Sequence, residues 1–236
     1  MQLSRKWEEW AVKQQKLLSL SALIMGLACL LGRRVLYATS VDGTGLLTAG
    51  TALEWGTYLL SALALVLFAA ASRRAEETPD SVTALGQLIG AVGIGWTALR
   101  YPGEMPGLLG NLWKILGILS ALCLICTAYC TKNGKAPNFL FLLPPCLFWL
   151  THLVDNYRGW SGQPQLQSYL FSLLATMAMA LFTYYTAADS VGLGKPRIRC
   201  FSALSAGFLC LAAMLPGPEK NQLLFFTSAL WAVSDL

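Results

Sequence analysis

Charge is what this sequence is short of. Asp, Glu, Lys and Arg make up 12% of its 236 residues, about half of the roughly 25% found in soluble domains. Twelve acidic and seventeen basic side chains cannot cover the water-facing surface of a globule this long. Histidine is scarcer still. His152 is the single one, which excludes metal sites built from several imidazoles. No Walker lysine motif, no Gly-x-Gly-x-x-Gly after a strand and no His-Glu-x-x-His is present, so the commonest nucleotide and zinc chemistries have no anchor here. Paired mid-span aspartates, which intramembrane proteolysis requires, are also missing. The residues call for no cofactor and no metal, and they point away from an enzyme. A membrane enzyme acting on a lipid or envelope precursor would lack a recognisable nucleophile.

The net charge of +5 does not mark a nucleic-acid binder, because the basic residues stand singly or in pairs between apolar blocks and form no continuous basic face. All seven cysteines lie in or at the ends of apolar segments, where a thiol behaves as a small hydrophobe. Cys123, Cys126 and Cys130 share a helix face at i, i+3 and i+7. That spacing alone is weak support for redox or metal chemistry, and helix packing explains it better.

What is present is apolar length. Hydrophobic residues make up 56% of the chain and fall in blocks near the roughly 20 residues that a helix needs to cross a bilayer. The blocks run from Leu17 to Leu36, Leu53 to Ser72, Ser81 to Leu99, Asn111 to Cys130, Asn138 to Tyr157, Gln167 to Ala188, Arg199 to Leu215 and Asn221 to Leu236. Turn formers such as Val41-Asp42-Gly43-Thr44-Gly45 and Thr78-Pro79-Asp80 separate them. The expected fold is an all-α, polytopic transmembrane helical bundle of eight spans, or seven if the short last block fails to cross. Residues 1–16 form a cytoplasmic or interfacial segment, either a helix along the membrane surface or a polar tail, and 17–236 a single transmembrane domain. The first block follows Arg5, Lys6, Lys13 and Lys16 like a signal peptide, but it ends at Gly32-Arg33-Arg34 and not at a small-residue cleavage site. It reads as a retained span.

With the N-terminus inside, eleven basic residues lie on the cytoplasmic side: Arg5, Lys6, Lys13, Lys16, Arg73, Arg74, Lys132, Lys135, Lys195, Arg197 and Arg199. Six lie at the other side: Arg33, Arg34, Arg100, Lys114, Arg158 and Lys220. The positive-inside rule then puts both termini of an eight-span chain in the cytoplasm.

Two packing features stand out. The third span carries Gly86, Gly90, Gly93 and Gly95, a small-residue face that lets helix backbones approach, within the chain or against a partner. Pro144-Pro145 falls inside the fifth block, where a kink is expected.

Ionisable groups inside a membrane are costly and mark sites. His152 and Asp155 stand three apart on the fifth span, and Arg158 three further on. Tyr157 begins an aromatic, glutamine-rich loop that contains Arg158 and Trp160 and runs to Gln167. His152, Asp155, Arg158 and Trp160 are therefore the expected ligand-binding residues, against the plainer reading of an interfacial ion pair with aromatic anchors. Glu54 reads as part of a capping box, Thr51-Ala52-Leu53-Glu54, at the start of the second span. Lys114 reads as an anchor that snorkels outward.

Val41-Asp42-Gly43-Thr44-Gly45-Leu46-Leu47 and Tyr157-Arg158-Gly159-Trp160-Ser161-Gly162-Gln163-Pro164-Gln165-Leu166-Gln167 resemble segments of an uncharacterised family of multispanning proteins from Gram-positive anaerobic bacteria. The resemblance implies a bacterial inner-membrane protein and brings no activity with it.

Two functions compete. One is binding or transport of a small polar solute or ion through an outward-facing cavity at His152, Asp155 and Arg158. This reading expects these side chains to converge with polar groups of the second and fourth spans. The other is a structural or regulatory membrane subunit that packs against a membrane-protein partner through the glycine face of the third span. For both, the lipid bilayer is the constant partner.

Overall fold

The computed structural model describes residues 2–40, 50–74, 81–101, 108–160, 169–215 and 219–236, with the side chains of 2–16, 74, 81, 108, 109, 159, 160 and 220 excepted. Eight α-helices make up the described chain: α1 (Gln2–Thr39), α2 (Ala52–Ala71), α3 (Ser81–Arg100), α4 (Leu108–Lys132), α5 (Leu143–Trp160), α6 (Leu170–Ser190), α7 (Pro196–Ala213) and α8 (Glu219–Ser234). Six of them, α1 to α6, contain segments long and apolar enough to cross a membrane.

These six helices wear their hydrophobicity outward. Ile24 and Leu31 on α1, Leu59 and Val66 on α2, Val92 and Leu99 on α3, Ile115 on α4 and Leu181 on α6 are all exposed. Aliphatic side chains on the outside of a helical bundle are stable in lipid and not in water. The fold is that of a multi-pass membrane protein.

The other two helices are inside. From Ser202 through Ala213 every residue of α7 is buried, and α7 packs against α1, α2, α6 and α8. Its composition explains the position: Ser202, Ala203, Ser205, Ala206, Gly207, Ala212 and Ala213 are small enough for neighbouring backbones to close on it. A Cβ added to Gly26 of α1 would meet Leu211 Cβ at 2.9 Å. Helix α8 packs chiefly between α3 and α7, touching α1 and α6 as well.

The glycine face of α3 is occupied within the chain. A Cβ on Gly90 would lie 2.9 Å from the Trp231 ring of α8, and Cβ atoms on Gly86 and Gly93 would overlap Ser234 and Thr227 of the same helix. Gly95 faces Ala121 of α4 instead, at 3.1 Å. The stripe expected to meet a membrane-protein partner is therefore covered by α8, because the short last helix needs close backbone approach to seat its tryptophan.

The expected kink in the fifth span is absent. Pro144 and Pro145 occupy the first turn of α5, preceded by a 3₁₀ turn at Phe139–Phe141. There the missing amide hydrogens have no helical acceptor to lose. Asn138 caps the 3₁₀ turn, its Oδ1 accepting from Leu140 N–H at 3.2 Å. Proline starts the helix and does not bend it.

Side-chain contacts fix the relative direction of the helices. Arg33, near the C-terminus of α1, reaches Ala212 at the C-terminus of α7, so these two run parallel. Thr83, at the start of α3, bonds to Ser234 at the end of α8, so these two run antiparallel. Thr131 at the end of α4 bonds to Gln87 near the start of α3. The bundle therefore has two ends, here called the Arg33 end and the Arg199 end after an arginine at each.

Candidate functional site

The fifth span carries its polar residues at the Arg33 end, and the fold turns them inward. His152 is fully buried, and Asp155 and Asn156 are each 1% exposed. Aromatic rings enclose the imidazole. Phe148, one turn back on α5, stacks on it at 5.9 Å between centroids, and Trp149 meets it edge-on at 5.7 Å. Trp113 of α4 and Phe225 of α8 close the cage at 5.9 and 6.4 Å.

Two hydrogen bonds fix the ring. Trp113 Nε1–H donates to His152 Nδ1 at 3.2 Å, and His152 Nε2 lies 2.9 Å from the side-chain amide of Asn156. An indole N–H only donates, so Nδ1 carries no proton and the neutral imidazole holds its proton on Nε2. That nitrogen must then donate, and the Asn156 amide turns its Oδ1 toward it. Which way an amide points follows from such a network. The bond made on the histidine's own helix thus goes to Asn156, four residues on; Asp155, three residues on, is buried beside it and is not free.

Asn221 belongs to the same end. It precedes Phe225 by one turn on α8, as Asn156 follows His152 by one turn on α5. The two helices run in opposite directions and meet at the His152–Phe225 and Trp149–Phe225 ring contacts. One turn toward the Arg33 end therefore brings Asn156 and Asn221 to the same level. Asn221 is 1% exposed, and neither its Oδ1 nor its Nδ2 has a hydrogen-bond partner among the described residues.

Of the four residues expected at the site, His152 and Asp155 are brought together in the interior. Arg158 is exposed on α5 and is not free of interactions. The Trp160 side chain, the loop residues 161–168 and the segment 41–49 lie outside the described residues. The fourth span supplies a polar group, Trp113 Nε1. The second span packs on α1 and α7, and its polar residues serve another cluster. Residues that the sequence did not single out are Trp113, Asn156 and Asn221. Only Asn156 had a legible signal, its i+4 spacing from the sole histidine.

That other cluster surrounds Arg33, which is 3% exposed. Its Nη1 donates to the Ala212 carbonyl at 2.8 Å, one of the last-turn carbonyls that α7 leaves without an intrahelical partner. Its guanidinium lies 4.2 Å from the Phe171 ring centroid, a cation–π distance. Tyr58 stacks on the same Phe171 ring at 6.0 Å and donates to Glu54 Oε1 at 3.0 Å. Glu54 also completes the expected cap. Thr51 Oγ1 accepts from its N–H at 3.3 Å, while its Oε2 accepts from Gly50 N–H at 2.8 Å, one residue before the cap. Arg33 and Glu54 are explained by helix ends.

At the opposite end Arg199 bridges two carboxylates. Its Nη1 pairs with Asp189 at the end of α6, and its Nε and Nη2 donate to Asp235 Oδ2 at 3.1 and 2.9 Å. The triad ties α6, α7 and α8 together. The Asp235 side chain is 1% exposed, and its other oxygen, Oδ1, has no partner among the described residues. No group of three or more His, Cys, Asp or Glu suited to a metal ion occurs among the described residues. No protein-family model, curated protein or solved structure matches the chain.

Proposed function

We propose that this chain is a bacterial inner-membrane protein with both termini in the cytoplasm that binds a small polar solute or ion at the outer end of its bundle. In this orientation the Arg33 end faces outward. The excess of basic residues on the Arg199 side supports it, the more so because Arg33, counted on the outer side, is held by α7 instead of standing free.

The observation that carries the binding reading is Asn221. A primary amide offers two donors and an acceptor oxygen with two lone pairs. Among the described residues none of them is met, although the residue is buried level with Asn156 and beside an aromatic cage. Leaving a buried polar group unmet costs about 1–3 kcal/mol, and a polar guest between Asn221, Asn156 and Asp155 removes that penalty. Aromatic walls with a few convergent polar groups are the usual make-up of small-ligand sites.

The test is a thermal-shift screen of the detergent-purified protein against amino acids, sugars, vitamins, nucleosides and ions. A ligand at 100 times its Kd stabilises the folded state by about 2.7 kcal/mol. A compound that stabilises the wild type and loses its effect in both Asn221→Leu and Asp155→Asn supports the site. Equal shifts in wild type and variants place the binding elsewhere.

A further inference from the structure

We infer that the interior face of α8 lines a file of water that joins the outer polar group to Asp235 and gives protons a route along the bundle. The inference goes beyond solute binding and holds whether or not a solute occupies the outer end. It starts from a pattern on one helix. Asn221, Ser228 and Asp235 recur every seven residues, which is two turns of α-helix and keeps them on one stripe. All three are buried, and all three have side-chain polar atoms without a partner among the described residues.

The remaining buried side-chain atoms without a partner fall at intermediate levels. They are Trp149 Nε1, Trp231 Nε1 and Ser205 Oγ. Trp149 stacks on Phe225 and so lies between Asn221 and Ser228. Trp231 lies on α8 between Ser228 and Asp235. Ser205 of α7 lies level with this stretch of α8 but outside the file: Gly207, two residues on, abuts Val233 and Ala229 of α8, so Ser205 stands on the far side of α7. From Asn221 to Asp235 the axis rises about 21 Å at 1.5 Å per residue. An unmet donor or acceptor therefore occurs about every 5–6 Å on that scale, a step that one water bridges with two hydrogen bonds of about 2.8 Å.

Serine and threonine elsewhere in the bundle do not share this state. Ser61, Thr97, Ser120, Thr127, Thr176 and Thr183 each donate to a carbonyl three or four residues back on their own helix. Ser205 and Ser228 had the same option and do not take it. Buried polar groups in native proteins are met by protein or by water, and buried waters sit where several polar atoms converge. The file ends on Asp235 Oδ1. There Arg199 holds Oδ2, which leaves Oδ1 as the acceptor that faces the file. Along the file each water accepts one proton and releases another, so no bond is made or lost overall.

Radiolytic hydroxyl-radical footprinting of the full chain in nanodiscs tests the water, because radicals generated from a bound water oxidise the indole beside it. Trp113 is the internal control. It is as buried as Trp231, each 1% exposed, but its Nε1–H is bonded to His152. Trp149 and Trp231 are expected to oxidise several-fold faster than Trp113; equal, slow rates for all three overturn the water file. Liposomes holding the protein and an internal pH dye, with a valinomycin-set potassium potential, test the proton route. Proton entry is expected to exceed that of protein-free liposomes several-fold and to fall in Ser228→Leu, which fills the stripe at its middle. Ser228→Val replaces it should Leu prevent folding. Entry no faster than in protein-free liposomes, or unchanged by a folded variant, overturns the route even where the indoles are labelled.

Discussion

Replacing Trp113 by Phe removes one donor, and the consequence is confined to one ring. His152 Nδ1 is then a fully buried acceptor facing a hydrocarbon edge. Stranding such an acceptor costs about 1–3 kcal/mol, about five- to 150-fold in the folding equilibrium. The same substitution at Trp149 deletes a similar volume from an equally buried site, 0% against 1% exposed, but there the Nε1–H has no partner among the described residues. The cavity terms largely cancel between the two variants, so their difference isolates the Trp113–His152 bond. Reversible unfolding in mixed micelles reads the energies, and Trp113→Phe is expected to be the less stable by about 1 kcal/mol or more. The sequence makes a second readout simple: with one histidine among 236 residues, the imidazole nitrogen NMR signals need no assignment. They are expected to show a pyridine-type Nδ1 and a proton-bearing Nε2. A proton on Nδ1, together with equal stability of the two variants, refutes the hydrogen-bond assignment and with it the orientation given to Asn156.

The glycines give a prediction of opposite signs. Gly56→Ala, where a Cβ meets nothing within 4 Å, is expected to stabilise α2 by up to about 1 kcal/mol through helix propensity. Gly93→Ala, whose Cβ overlaps Thr227, is expected to destabilise by about 1–3 kcal/mol from overpacking; denaturation midpoints of the two separate the signs. At the Arg33 end, Arg33→Lys keeps the charge and loses the flat face on Phe171 and the fork aimed at α7. It is expected to lower stability by about 1–2 kcal/mol in the same unfolding assay, and a neutral effect would show that the guanidinium geometry is immaterial. At the other end, Asp235→Ala strips Arg199 of its most buried partner and is expected to cost about 3 kcal/mol or more. Asp189→Ala removes a carboxylate that is 19% exposed and is expected to cost about 1 kcal/mol. A reversed order would place the anchor of the triad on α6.

The helical class was legible because lipid-facing residues report themselves: the blocks from Leu17 and Leu53 became α1 and α2, with their aliphatic side chains outward. The cap at Thr51 was legible for a similar reason, since it depends on four consecutive residues. What local reading missed was set by partners far away in the chain. Pro144-Pro145 looked like a kink because the helix start at Leu143 is not marked by any drop in hydropathy. Arg33 looked like an external charge because its acceptor, Ala212, lies 179 residues away. His152 and Asp155 were found as rare ionisable groups. Trp113 and Asn221, which complete the surroundings, look like an interfacial anchor and a polar helix start until the fold brings their helices to α5.

Helices α7 and α8 show why the weakest membrane signals lie where the chemistry is. A helix facing lipid must bring about 30 Å of apolar surface, and composition reveals it. A helix packed on four others faces mostly protein, so it can be short and can carry polar atoms. Helix α8, at 16 residues, extends about 24 Å and is less than the bilayer core. Helix α7 carries Arg197 and Arg199 near its start and serines at 202 and 205. The same freedom that relaxes length and hydropathy admits Asn221, Ser205, Ser228 and Asp235, whose polar atoms would be costlier on a lipid-facing surface. Hydropathy therefore counts the wall of this protein and passes over its interior, and it is the interior pair that links the polar residues at one end of the bundle to the triad at the other.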